Sequence, residues 1–323
     1  MPATVTNRRA PGLNVQEIDQ LGVVKLIGNT PLVHLHRLSA HLGLPTNIQL
    51  LLKAEWVNPG GSIKDRTALA IIRDAVDRDR LGHGQTLLDS TSGNTGIAYA
   101  MLGAALNLPV SLVVPASASD ERKRTLAAYG ASLVYSDPFE GSDGAIRLVR
   151  EMVARTGDDV FFADQYNNPA NVAAHWGSTG PEILRQSRGQ VTHFVAALGT
   201  TGTIVGAGSF LQQEAGARII AVQPDEEFHG IEGLKYLPTA IVPGIFDPAV
   251  PDEIVGVETE DAFAYARLLA TTEGLFAGSS TGANVAATAR LGASLAERGE
   301  PAVIVAIGCD GGSRYLTTGL WDR

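Results

Sequence analysis

The sequence predicts an α/β fold built as two layered domains. A chain of 323 residues is longer than one hydrophobic core normally serves, which predicts two domains with a cleft between them. Short Val-, Ile- and Leu-rich runs recur along it, each closed by Gly, Pro, Asp or Asn and followed by a helical pattern. Apolar strands alternating with helices predict parallel-rich sheets covered on both faces, hence two three-layer α/β units. Glycine is abundant, at 36 residues, and much of the excess lies in clusters at Gly60-Gly61, between Gly199 and Gly208, and at Gly311-Gly312. Such clusters predict backbone that approaches a ligand closely.

Taken in order, the predicted strands are 48–57, 86–89, 110–114 and 131–136, then a second series at 160–163, 192–198, 218–223 and 302–307. The clearest helix is DRTALAIIRDAVDRD, in which Leu69, Ile72 and Val76 recur at three and four residues. Ser62 and Asp65 read as its capping pair and Gly82 follows its end, which sets Lys64 at a helix N-terminus. His34 and His36 alternate as one face of a strand would.

Apolar residues make up 45% and charged residues 18%, as in a folded chain, and the net charge of −9 disfavours nucleic-acid and anionic-membrane partners. No apolar run approaches a membrane span, and the N-terminal stretch MPATVTNRRAPGLNV reads as a loose leader. One cysteine, Cys309, excludes an internal disulfide and a cysteine zinc cluster and fits a reducing, cytoplasmic setting. The seven histidines show no metal-binding spacing, so no metal is expected. Cys309, near the end of an apolar strand, reads as a small core hydrophobe.

Four stretches carry the candidate chemistry. In NPGGSIKDR, residues 58–66, Lys64 stands in the first helical turn, where the helix dipole disfavours a cation. Positive potential and partial burial lower an amine's pKa and make it a nucleophile toward an aldehyde. The bland alternative is a solvated lysine pairing with Asp65. STSGNTG, residues 90–96, lies between a strand and a helix and offers hydroxyls and exposed N–H groups suited to a carboxylate or another small anion. GTTGT, residues 199–203, occupies the equivalent place after THFVAAL and suits a phosphate. It is neither a Walker loop nor a dinucleotide fingerprint, which favours a phosphate ester other than a nucleotide. GSSTGAN, residues 278–284, suits a neutral hydrogen bond to a ring nitrogen, though taken on its own a plain helix cap explains it better.

Three anion-friendly loops and a helix-start lysine in this order resemble the fold-type II pyridoxal-phosphate enzymes, whose architecture is tryptophan synthase β-like. Within them the chain is similar to the cysteine synthases, or O-acetylserine sulfhydrylases, and above all to the B-type isoform. IGNTPLVHLHRLS, NPGGSIKDR, STSGNTGIAYA, QYNNPAN, THFVAALGTTGTIVGAGSFL, LPTAIVPGIFD, EGLFAGSSTGA and CDGGSRYLTTG carry the likeness, from about Leu26 to Trp321. The resemblance implies that Lys64 forms the Schiff base with pyridoxal 5'-phosphate and acts as catalytic base. Asn94 would contact the cofactor's ring oxygen, Gly199, Thr200, Thr201, Gly202 and Thr203 its phosphate, and Ser280 its ring nitrogen. Thr91, Ser92, Thr95 and Gln165 would bind the substrate carboxylate. The implied division is 1–30 with 58–167 as a small mobile domain, and 31–57 with 168–323 as a large domain holding the cofactor phosphate. The implied assembly is a homodimer.

The implied reaction is a β-replacement. O-acetylserine, or another activated serine, loses its β-substituent to give an aminoacrylate, and a sulfur nucleophile adds to yield cysteine or an S-substituted cysteine. β-Replacement with an amine nucleophile toward a diaminopropionate precursor, cystathionine β-synthase-like activity, and a non-catalytic cofactor-binding regulator share these motifs. Lys64, Asn94, Gln165 and Ser280 together favour catalysis. One stretch departs from the B-type pattern: DEEFHGIEGLKYLP, residues 225–238, lacks the pair of arginines usual there and offers only Lys235 as a basic group. Lys235 is thus either a weak anchor for an anionic substrate or a solvated loop lysine.

Overall fold

The computed structural model describes residues 13–82, 84–91, 93–157 and 159–322. The N-terminal stretch read as a leader lies largely outside them. Among the described residues, ten strands form two sheets: β1 Leu32–His34, β2 Ile48–Ala54, β3 Thr86–Ser90, β4 Val110–Pro115, β5 Ser132–Ser136, β6 Val160–Phe162, β7 His193–Ala197, β8 Arg218–Pro224, β9 Glu253–Val257 and β10 Ala302–Gly308. The larger sheet has the order β1-β2-β10-β7-β8-β9 and the smaller β5-β4-β3-β6. Every neighbouring pair is parallel except β1 with β2. Along the chain the strands therefore enter the larger sheet first, leave to build the smaller one, and return.

The helices are α1 Val15–Gln20, α2 His36–His41, α3 Lys64–Asp77, α4 Asn94–Leu106, α5 Asp120–Ala128, α6 Gly141–Val153, α7 Pro169–Ala174, α8 Gly180–Gln186, α9 Gly202–Ala215, α10 Thr259–Glu273 and α11 Ser279–Glu297. Side chains alternate across each strand, so a parallel strand must be apolar on both faces. Leu50, Leu52, Ile304 and Ala306 share a core with Ala262 and Leu269 of α10 and Val285 of α11. Leu51, Phe194 and Val305 pack on the opposite side with Ile183 of α8 and Leu211 of α9. In the smaller sheet Leu87, Leu112 and Val114 meet α3 and α4, while Leu88 and Val113 meet Ala145 and Val149 of α6. Both sheets are thus covered on both faces, as the sequence predicts.

Three local expectations need correction. The capping pair at α3 does not form: Asp65 turns back to accept the Gly60 N–H at 2.5 Å, because the Pro-Gly-Gly turn carries that amide toward it, and Ser62 Oγ instead accepts the Lys64 N–H at 3.3 Å. The helix also stops at Asp77, where Asp79 takes a left-handed turn with φ 54°, before Gly82 is reached. His34 and His36 do not share a strand face. β1 ends at His34, α2 begins at His36, and the two rings stack at 3.7 Å. Strands β1 and β9 have no counterpart in the sequence reading; both are short edge strands, and β9 is largely exposed, so neither shows a buried run.

Candidate active site

A cleft of about 640 Å³ opens at the carboxyl ends of strands from both sheets, the position at which parallel α/β sheets bind ligands. Lys64, Thr91, Asn94, Thr95, Gln165, Gly199, Thr200, Thr203, Ser280 and Lys235 line it. Thr201 and Gly202 are buried behind its wall. Ser92 lies outside the described residues. Separate stretches of sequence are thereby gathered onto one concavity.

Lys64 is placed by two links between the NPGG turn and the end of β10. Ile63 N–H donates to the Cys309 carbonyl at 2.9 Å, and Ser62 forms an antiparallel bridge with Asp310. Burial lowers the Lys64 pKa, opposed by charge from Cys309 and Asp310. Lys64 is half-buried and does not pair with Asp65, which is engaged with Gly60. Burial raises the Asp65 carboxyl to about 7, against the Gly60 hydrogen bond and the Arg314 charge. Two residues on, Arg66 sits in a buried ion cluster, 2.7 Å from both Glu55 and Glu182, while Lys53 lies 2.6 Å from Glu182. Arg66 thus ties the first turn of α3 to the turn that follows β2 and to α8.

The 90–96 loop is organised from within. Thr91 Oγ1 accepts the N–H groups of Gly93 and Gly96 at 3.0 and 3.1 Å, which leaves its hydroxyl proton free to donate. Thr95 Oγ1 donates to Gln165 Oε1 at 2.7 Å, and Gln165 Nε2 donates to the Ser90 carbonyl at 2.7 Å. Asn94 Nδ2 donates to Asp310 Oδ2 at 2.7 Å, and Arg314 donates to Asn94 Oδ1 and to the Gly60 carbonyl. The amide is oriented by two groups near the C-terminus that the sequence reading did not single out. Tyr315 donates its hydroxyl to the same Asp310 oxygen at 2.6 Å.

At residues 199–203, Thr201 adopts φ 69° at the head of α9. A Cβ on Gly202 would lie 2.1 Å from Asn171 Oδ1, and one on Gly199 would lie 2.6 Å from the Gly233 carbonyl. Asn171 Nδ2 donates to Thr200 Oγ1 at 3.0 Å and to the Gln165 carbonyl at 2.9 Å, and Asn171 Oδ1 accepts from Thr67 at 3.0 Å. His175 reaches Thr67 at 3.2 Å and Thr203 at 3.3 Å through Nε2. Burial, then the charges of Arg66 and Lys64, hold its pKa well below the ordinary value, so the ring is neutral. Asn171 and His175 also escaped the sequence reading. QYNNPAN was visible as a motif, but its role depends on α7 packing against α9, which no local pattern reveals.

Pyridoxal phosphate fits this set of residues. Thr201 Oγ1 is buried without a partner, and the first-turn N–H groups of α9 have no acceptor within the helix. A phosphate at that end would satisfy both, while Lys64 supplies a desolvated amine in the same cleft. Cys309 packs against the core around Phe194 and Val305, as expected of a small hydrophobe, and also reaches the cleft. It is half-buried and lines the cleft, with burial and Asp310 pushing its thiol up to about 11 despite the nearby Lys64. Lys235 is no solvated loop lysine: it is 4% exposed, ion-paired with Asp143, and its ammonium lies 5.2 Å from the Tyr166 ring centre. Among the described residues, no cluster of three or more His, Cys, Asp or Glu is placed to hold a metal.

The family described as "Pyridoxal-phosphate dependent enzyme" matches residues 23–310. The chain is 49% identical over 301 residues to a cysteine synthase of Aquifex aeolicus, covering 93% of this chain and 92% of that one. It is 42% identical to cysteine synthase B of Escherichia coli, covering 92% and 95%. Its backbone is similar to the crystal structure of O-acetyl serine sulfhydrylase isoform 3 from Entamoeba histolytica, with a TM-score of 0.87, 34% identity, and coverage of 100% and 95%.

Proposed function

Because this chain belongs to the pyridoxal-phosphate-dependent enzymes, we propose that it catalyses a β-replacement that converts O-acetyl-L-serine, or another activated serine, and a sulfur nucleophile to L-cysteine or an S-substituted cysteine. It is a transferase of the cysteine synthase type. The observation that carries this reading is a desolvated lysine in the same cleft as a hydroxyl-rich carboxylate loop and a phosphate-ready helix start. Pyridoxal phosphate, when bound, supplies the aldehyde that captures the amino acid and the ring that draws electrons from its α-carbon.

The chain's own groups supply the rest. Gly199, Thr200, Thr201, Gly202 and Thr203 hold the phosphate, Asn94 faces the ring oxygen, and Ser280 meets the ring nitrogen as a neutral partner. Thr91, Ser92, Thr95 and Gln165 receive the substrate carboxylate; the Thr91 hydroxyl donates because its oxygen already accepts two backbone N–H groups. Lys64 Nζ takes the α-proton and later returns it, a role for which a lowered pKa suits it. Of the described residues, those within 1–30 and 58–167 close as the smaller unit against those within 31–57 and 168–323, excluding water from the reacting carbons. We place the enzyme in the cytoplasm, in keeping with its lone cysteine, as a homodimer.

The test is cysteine formation from O-acetylserine and sulfide by the purified holoenzyme. Lys64→Ala should lower kcat by at least about a thousandfold, loss of general-base catalysis alone accounting for 10²–10⁴. Wild-type turnover in Lys64→Ala would contradict the assignment.

A further inference from the structure

From the charge pairing at the mouth of this cleft, and resting on the β-replacement reading above, we infer that the enzyme's second substrate is a small neutral or singly charged sulfur species, and that dianionic sulfur donors are refused. Apart from Lys64, the basic side chains lining the cleft, among the described residues, are Arg122, Arg147, His229 and Lys235. Lys235 is paired with Asp143, Arg122 with Glu232, and Arg147 with Glu140 at 3.0 Å. All three carboxylates line the same cleft, and Glu227 adds a fourth. Burial lowers the His229 pKa, so that ring contributes little charge at neutral pH. A mouth whose cations are matched one for one, with a carboxylate to spare, repels a dianion on approach and offers it no unmatched partner on arrival.

The pairing is built in. Lys235 and Arg122 are almost fully buried, and Asp143 is fixed further by the Ile241 N–H at 2.7 Å. Both pairs span the cleft, joining α5 and α6 on one wall to the 225–240 loop on the other. Removing a buried partner would be costly, so an incoming anion competes poorly for either cation.

With hydrosulfide the reaction balances as O-acetylserine plus HS⁻ giving cysteine plus acetate: the Cβ–O bond breaks, acetate leaves with its electron pair, and the sulfur lone pair forms Cβ–S. Thiosulfate would balance equally, giving S-sulfocysteine and acetate, so the discrimination lies in charge and not in the chemistry. The test titrates the holoenzyme with thiosulfate by calorimetry and compares kcat/KM for thiosulfate and sulfide. The wild type should favour sulfide and bind thiosulfate weakly. Asp143→Asn, which unmasks Lys235, should raise both thiosulfate affinity and the thiosulfate-to-sulfide ratio about tenfold, and adding Lys235→Met should reverse the gain. Glu140→Gln, which removes the ion-pair partner of Arg147, serves as the second variant should the first fold poorly. Tight thiosulfate binding by the wild type, or a ratio unmoved in both carboxylate variants, would overturn the inference. Absence of turnover with sulfide would sink the β-replacement reading instead, and thiosulfate binding, which needs no turnover, would still decide this one.

Discussion

Gly202 shows at the smallest scale why the phosphate loop has the sequence it has. Its missing Cβ leaves room for Asn171, which is itself fixed by Thr67, Gln165 and Thr200 and has no free direction in which to retreat. Gly202→Ala should therefore displace Asn171 or the head of α9, at an overpacking cost of about 1–3 kcal/mol, and weaken pyridoxal phosphate binding by roughly tenfold or more. Reconstitution of the apoenzyme with increasing cofactor measures this directly, and an unaltered affinity would show that the loop does not grip the phosphate. That Lys64, Asn94 and the 199–203 loop share one cleft was legible from the order of their motifs and the family these resemble, since each motif alone also suits an ordinary helix start. Asn171, His175, Asp310 and Arg314 were not, because each acts on a residue far away in sequence. Cys309 was read correctly as a core hydrophobe, but an apolar run gives no sign that its last residue also emerges into a cleft.

At the scale of elements, α3 is held by charge as well as by apolar packing. Its apolar positions Leu69, Ile72 and Val76 face a core, as their spacing predicts, but its first turn is fixed by the buried cluster of Arg66, Glu55, Glu182 and Lys53. Burial alone would raise the Glu182 pKa, yet hydrogen bonds and charge from Arg66 and Lys53 overcome it and bring the carboxyl down to about 2. A depressed acid stabilises the fold above its unfolded pKa, so this contribution is present at neutral pH and is lost as pH falls from about 4.5 toward 2. Glu182→Gln leaves two buried cations short of a partner and should cost about 3–5 kcal/mol at pH 7. Denaturant midpoints at pH 7 and pH 3 check both parts: the gap between wild type and variant should narrow in acid, and an equal gap at both values would refute the linkage. The strands and this helix could be read from apolar periodicity, whereas the cluster could not, since charged residues in a sequence ordinarily signal a solvated face.

For the whole molecule, the two sheets matter because their carboxyl ends meet at one cleft. The chain leaves the larger sheet after β2 and rejoins it at β7, which puts Lys64 and the 90–96 loop on one excursion and the 199–203 loop and Ser280 on the return. Two ion pairs, Arg122 with Glu232 and Lys235 with Asp143, bridge the walls at the mouth. Sequence alone foresaw a two-sheet α/β architecture but gave no sign of this bridging, since the partners are about a hundred residues apart. On the β-replacement reading proposed above, these same few residues would serve both closure and charge matching.

The most direct measurement is the visible absorbance of the purified holoenzyme before and after O-acetylserine, and again after sulfide. The account predicts a cofactor band that shifts on the first addition, returns on the second, and is coupled to release of cysteine. A band that stays fixed on adding O-acetylserine would contradict the proposed substrate, and a protein that acquires no such band with pyridoxal phosphate would contradict the role assigned to Lys64.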